Sequence, residues 1–149
     1  MTNPISVPIT KIDPNAIIPL EASAMSAGRD LYALINGDPI TLWPGDVHLI
    51  HTGLAMAIPQ GWFGAIFARS GIATRKGLRP ANCVGVIDPD YRGEIMISLR
   101  NDSQEKQEIR HGDRVAQLVL IPYCPVVFEE TDDLDDTERG NGGFGSTGE

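Results

Sequence analysis

Three short segments of this 149-residue chain carry side chains whose types and spacing suit phosphate and proton chemistry. The first is Arg69-Ser70-Gly71. It falls where an apolar run, residues 62–68, gives way to a predicted helix at residues 70–76, with Ser70 as N-cap and Gly77 as C′ residue. A helix start offers unpaired N–H groups and a partial positive charge, both suited to phosphate oxygens. Arg69 adds a planar fork of donors, Ser70 a hydroxyl, and Gly71 a close backbone approach. An ordinary N-cap beside a surface arginine would give the same letters.

The second segment is residues 82–93, Asn-Cys-Val-Gly-Val-Ile-Asp-Pro-Asp-Tyr-Arg-Gly. Asp88-Pro89 opens a type I turn and Gly93 lies just past it, so a hairpin with turn carboxylates accounts for the pattern. The chemical alternative is that Asp88, at the end of a buried run and near Tyr91, holds a water and takes its proton. The third segment, residues 112–118, is Gly-Asp-Arg-Val-Ala-Gln-Leu and reads as turn then strand. Gln117 is expected on the same face as Val115, where a buried amide needs a partner from the protein or from a ligand. Residues 140–145 match G-x-G-x-x-G, but an acidic stretch precedes them and the chain ends four residues later. A dinucleotide fingerprint needs a strand before it and a helix after it, so that reading fails.

The elements that must position these segments are short. Strand-length apolar runs occur at residues 5–12, 30–35, 47–50, 53–58, 62–68, 84–87, 94–99 and 115–119. The chain's 16 glycines and 11 prolines are spread along its length and punctuate these runs. This spacing predicts an all-β barrel or sandwich of jelly-roll type with one short helix. The hydrophobic fraction is 42% and only 6% of residues are aromatic, so the core should be aliphatic. Residues 129–138 are heavily acidic and 139–148 are Gly-rich, and neither stretch has core periodicity. The expected organisation is a β domain at 1–128 followed by a flexible arm at 129–149.

The formal net charge is −8, and no basic stripe offers itself to a nucleic acid. A polyanionic ligand must therefore be small and met by a few placed cations. Cys83 and Cys124 show no metal-ligand or disulfide spacing, suit a reducing compartment, and are expected simply to fill space. No signal peptide and no bilayer-length apolar run is legible, so a soluble cytoplasmic protein without a membrane partner is expected.

Five stretches taken in order resemble the five motifs of the trimeric dUTPase family. They are residues 26–31 (Ser-Ala-Gly-Arg-Asp-Leu), 68–73 (Ala-Arg-Ser-Gly-Ile-Ala), 85–93, 112–118 and 139–148 (Arg-Gly-Asn-Gly-Gly-Phe-Gly-Ser-Thr-Gly). The resemblance spans residues 27–148, with Arg29 a mild departure at a site more often apolar. It implies a jelly roll, or distorted barrel, that assembles as a homotrimer. Each site then borrows motifs from all three chains, and a swapped C-terminal arm closes over a neighbour's nucleotide.

The implied reaction is hydrolysis of dUTP to dUMP and pyrophosphate, which limits uracil incorporation into DNA and supplies dUMP for dTMP synthesis. By the same resemblance Asp88 is the general base for in-line attack of water on the α-phosphorus. Mg2+ is held by the triphosphate and waters without a direct protein ligand, and Asp30 lies near its outer shell or at a subunit contact. Arg69, Ser70 and Gly71 bind phosphates with Gln117 beside them, and Arg139 of the arm meets the γ-phosphate. Phe144 stacks on the uracil, and Gly145 and Ser146 of the same arm join it. Asn82, Gly85, Val86 and Ile87 read the base through backbone groups. Tyr91 packs under the sugar and excludes a 2′-hydroxyl, and Met96 lines the same pocket. A dCTP deaminase shares the fold, but that family carries Arg-Ser-Ser in the second motif and lacks the Phe arm. A module that senses dUTP without turnover and a structural jelly roll are the other classes, and Asp88 argues for catalysis.

Overall fold

A computed structural model describes residues 4–21 and 23–143. The Gly- and Pro-punctuated runs fold as eleven strands and one helix: β1 (Ile9–Lys11), β2 (Arg29–Tyr32), β3 (Ile40–Leu42), β4 (Val47–His51), β5 (Leu54–Met56), β6 (Trp62–Phe67), α1 (Ser70–Lys76), β7 (Leu78–Pro80), β8 (Gly85–Ile87), β9 (Met96–Asn101), β10 (Gln107–Ile109) and β11 (Arg114–Pro122). Every strand pair is antiparallel. The larger sheets run β2-β11-β6-β8 and β4-β9-β7, with β1-β5 and β10-β3 as separate ribbons. None of these sheets closes on itself. The run at residues 5–12 yields only β1, while β3, β7 and β10 had no counterpart in the sequence reading. Each of those three has three residues and, unlike the equally short β1, β5 and β8, lies in no longer apolar run that would mark it.

The core is aliphatic as expected. Leu31, Leu42, Ile50, Leu54, Ile97 and Leu99 are fully buried, and no aromatic side chain joins the buried cluster. Three polar side chains are buried, Asp30, Thr52 and Asn101. Asn101 donates to Leu42 O (3.0 Å) and Glu105 O (2.8 Å) and accepts from Ser103 N (2.9 Å), so its burial leaves no polar atom unmet. Arg79 and Arg100 both clasp Asp102, which ties β7 to β9 and holds that carboxyl below the usual carboxylate range.

Several local expectations are corrected. Residues 82–87 and 88–93 do not form hairpins: β7 pairs with β9 while β8 pairs with β6, so the chain crosses between sheets there. The stretch before Asp88 is not buried throughout either: Val84 is exposed just before β8 and Val86 is exposed on that edge strand, while Gly85 is buried. Cys83 and Cys124 are both exposed rather than space-filling. A register shift between Arg114 and Ala116 buries Val115 and Ala116 together. This bulge resets the alternation, so Gln117 leaves the core face that Val115 occupies.

Candidate active site

Two clefts collect the residues singled out by type and spacing, and they share no lining residue. The first, of about 310 Å3, is lined by Ser26, Ala27, Gly28, Asp30, Arg69, Ser70 and Gln117. Strand β6 ends at Phe67 and α1 begins at Ser70, so Arg69 occupies the junction as the cap residue with extended backbone (φ −86°, ψ 130°). Ser70 is thus the first helical residue and not the N-cap, and no side chain caps the helix. Gly77 closes α1 in the left-handed region as expected (φ 64°).

Arg69 is held from below. Its Nε donates to Asp30 Oδ1 at 2.6 Å, and Arg114 Nη1 donates to Asp30 Oδ2 at 3.3 Å. Asp30 is buried on β2, with its two oxygens divided between two guanidiniums. An ion in this cleft would therefore find Asp30 already engaged. Gln117 Nε2 donates to Ala68 O at 2.9 Å, which supplies the protein partner that a half-buried amide needs. Its Oε1 lies over Gly28, where any Cβ would collide with it. Gly28 thus lets the amide reach across β2, a requirement the sequence signals only as a glycine before a strand.

The second cleft, of about 270 Å3, is lined by Leu49, Asn82, Val86, Ile87, Asp88, Tyr91, Glu94, Met96 and Ser98. Gly85 backs it from β8, where a Cβ would press on Asn82 Nδ2 and Ile66 Cβ, both at 3.2 Å. Cys83 stands at φ 62°, a left-handed turn that lets the chain leave β7 and reach β8 within four residues. Tyr91 N donates to Asp88 O at 3.1 Å, the turn that Asp-Pro predicted. The Asp88 side chain is exposed, and among the described residues its carboxylate meets no hydrogen-bond donor. Asp88 also borders a wider groove of about 610 Å3 with Ile58, Gln60, Pro89, Asp90, Arg92 and Tyr123. The Tyr91 hydroxyl donates to Glu94 O at 2.9 Å. Its ring lies over Gly93, where a Cβ would meet Oη at 2.5 Å.

The structure thus brings Asn82, Val86, Ile87, Asp88, Tyr91 and Met96 to one cleft and Arg69, Ser70, Asp30 and Gln117 to another. Gly71 sits in the first turn of α1, under Arg75. Arg139 joins neither cleft: it is exposed, and its Nε donates to Gly142 O at 2.9 Å within a local turn. Phe144, Gly145 and Ser146 lie outside the described residues. Arg29 pairs with Glu21 (3.0 Å) and so keeps its charge in company at a position where an apolar residue was expected. Ser26, Glu94 and Ser98 were not assigned from sequence. Glu94 had only its place directly after Gly93 to mark it. Among the described residues no three His, Cys, Asp or Glu side chains converge as a metal cage, and no helix is long and apolar enough to cross a membrane.

Comparison with known proteins places the chain in a family. The dUTPase family matches residues 14–148. The deoxyuridine 5′-triphosphate nucleotidohydrolase of Methylocella silvestris is 44% identical, over 99% of this chain and 94% of that protein. The dUTPase of Staphylococcus bacteriophage 80alpha with dUPNHPP superposes with a TM-score of 0.86 at 25% identity, covering 96% of this chain and 98% of that one. A variant dUTPase from phage phi11 of S. aureus, described with a structural Mg(II) ion, has the same fold (TM-score 0.78, 22% identity, 89% of this chain and 100% of that one). With a family match along nearly the whole chain and a relative well above 30% identity, the chain belongs to the dUTPase family.

Proposed function

We propose that this chain hydrolyses dUTP to dUMP and pyrophosphate. The observation that carries the reading is Asp88: an exposed carboxylate without a protein donor, at the edge of a nucleoside-sized cleft. A carboxylate that accepts no protein hydrogen bond is free to hold a water and accept its proton. Asp88 takes a proton from a water as the water oxygen attacks the α-phosphorus, and the bond to the bridging oxygen of pyrophosphate breaks. The uncapped start of α1, with Arg69 braced by Asp30, offers donors to the phosphate oxygens. In the other cleft the turn at residues 82–87 presents backbone groups to the base. Cytosine's amino group would oppose a backbone N–H there, and each unpaired polar group costs about 1–3 kcal/mol. Tyr91 lies flat as the floor for a deoxyribose, which leaves no room for a 2′-hydroxyl.

The division of these residues between two clefts that share no side chain supports a composite site in a homotrimer, one chain's Asp88 cleft facing a neighbour's Arg69 cleft. The arm, with Arg139, Phe144, Gly145 and Ser146, closes over the nucleotide from another subunit. Asp30 is committed to arginines, which fits an ion that arrives with the triphosphate and its own waters. Mg2+, when bound, neutralises charge on the leaving pyrophosphate. Two exposed, unpaired thiols suit the reducing cytoplasm as the place of action. The product removes dUTP from the DNA precursor pool and provides dUMP for dTMP synthesis. Turnover of dUTP in 18O-water tests the chemistry. Label in dUMP with release of pyrophosphate supports attack at the α-phosphorus, and dUDP with inorganic phosphate contradicts it.

A further inference from the structure

Tyr91 can exclude a ribose only if its ring cannot swing away, and that restraint comes from residues outside the five motifs. Its hydroxyl is held by Glu94 O at 2.9 Å, so the ring is as fixed as the backbone at Glu94. That backbone is fixed by a clamp onto the β4–β5 turn. Glu94 Oε1 accepts from Gly53 N at 2.8 Å, and Glu94 Oε2 meets His51 Nδ1 at 2.8 Å. The next residue is tied to the same turn, with Ile95 N donating to Leu54 O (2.7 Å) and Thr52 Oγ1 donating to Ile95 O (2.6 Å). The turn is closely packed. Gly53 stands at φ 67°, and a Cβ there would strike Leu34 and Ala16 at under 3 Å. His51 is the register partner of Met96, which lines the same cleft as Tyr91.

We infer that Glu94, through His51 and the Gly53 amide, is the positioning residue that sets the Tyr91 floor and so the preference for deoxyribose over ribose. This rests on the nucleotide reading given above. Neither side chain needs to touch the reacting phosphorus. Removing the carboxylate frees the Tyr91 anchor, so the loss falls on nucleoside binding and sugar discrimination and not on proton transfer at Asp88. His51 is more than half exposed, so its removal leaves the core intact. A glutamine at position 94 keeps an acceptor for Gly53 N and an amide that can donate to a His51 ring nitrogen, so it should restore most of the restraint.

The test compares steady-state constants for dUTP and UTP on the wild type and on Glu94→Ala, Glu94→Gln and His51→Ala, with melting temperatures alongside. In Glu94→Ala, KM for dUTP rises about tenfold while kcat changes far less, and the ratio of dUTP to UTP efficiency falls by a similar factor. His51→Ala moves both quantities in the same direction by about threefold, and Glu94→Gln stays nearer the wild type than Glu94→Ala in both. An unchanged KM and unchanged sugar preference in His51→Ala and in folded Glu94→Ala overturn the inference. If Glu94→Ala does not fold, His51→Ala decides alone. A wild type that does not cleave dUTP sinks the functional reading. An active wild type with unaltered variants sinks only the positioning role.

Discussion

Asp88 and Asp30 are both aspartates at cleft edges, yet their surroundings assign them opposite work. Asp88 is exposed and accepts no protein hydrogen bond among the described residues, while Asp30 is buried under Arg69 and Arg114. Asp88→Asn is nearly isosteric but cannot take a proton at neutral pH. It should keep dUTP affinity by calorimetry and lose about a hundred- to ten-thousand-fold in kcat. Asp30→Ala leaves two guanidiniums without their counter-charge. Urea unfolding should show a loss of about 1–3 kcal/mol, with a raised KM because Arg69 is no longer held. Asp88 stood out by residue type and by the turn that Asp-Pro opens, whereas Asn82, Tyr91 and Met96 were marked by the resemblance to the family's motifs. The partners that fix Arg69 and Gln117 were not legible: Asp30 lies 39 residues from Arg69, and the Ala68 carbonyl lies 49 residues from Gln117. No local pattern encodes such pairings.

Among the elements, α1 and most strands were legible because each lies in an apolar run or capped segment of four residues or more bounded by turn letters. The strands β3, β7 and β10 were not, since none lies in a longer apolar run, and the expected hairpins fail because turn letters specify a turn but not which sheet the next strand joins. Arg139 and its turn touch neither cleft of their own chain, and the proposed arm is expected to close only when nucleotide is present. Ordering that arm costs about 1–2 kcal/mol of backbone entropy per residue, so its contacts must come mainly from the full triphosphate and base. Removing residues 139–149 should leave melting temperature and assembly intact. It should lower kcat by about tenfold or more, a larger factor than the loss in dUTP affinity. An unchanged kcat would show that the arm takes no part in the chemistry.

For the whole molecule, one chain leaves much apolar surface uncovered. Val126, Val127 and Phe128 are 71%, 87% and 94% exposed, a short way past the end of β11 at Pro122. Surface of that kind marks an interface, and with the site divided between two clefts it argues for three chains acting together. Analytical ultracentrifugation should give a trimer at assay concentration, and an active monomer would contradict the composite site. The jelly-roll class was legible because turn spacing is a property of the whole chain, whereas assembly depends on which surfaces stay bare after folding. The central claim is selective hydrolysis of dUTP. Its most direct test is pyrophosphate release measured across dUTP, dCTP, dTTP, dATP, dGTP and UTP, with and without Mg2+. The account predicts that dUTP with Mg2+ is cleaved at least about a hundredfold more efficiently than any other nucleotide, a margin that two unpaired polar groups or a steric clash supply. Comparable turnover of dCTP or UTP would contradict it.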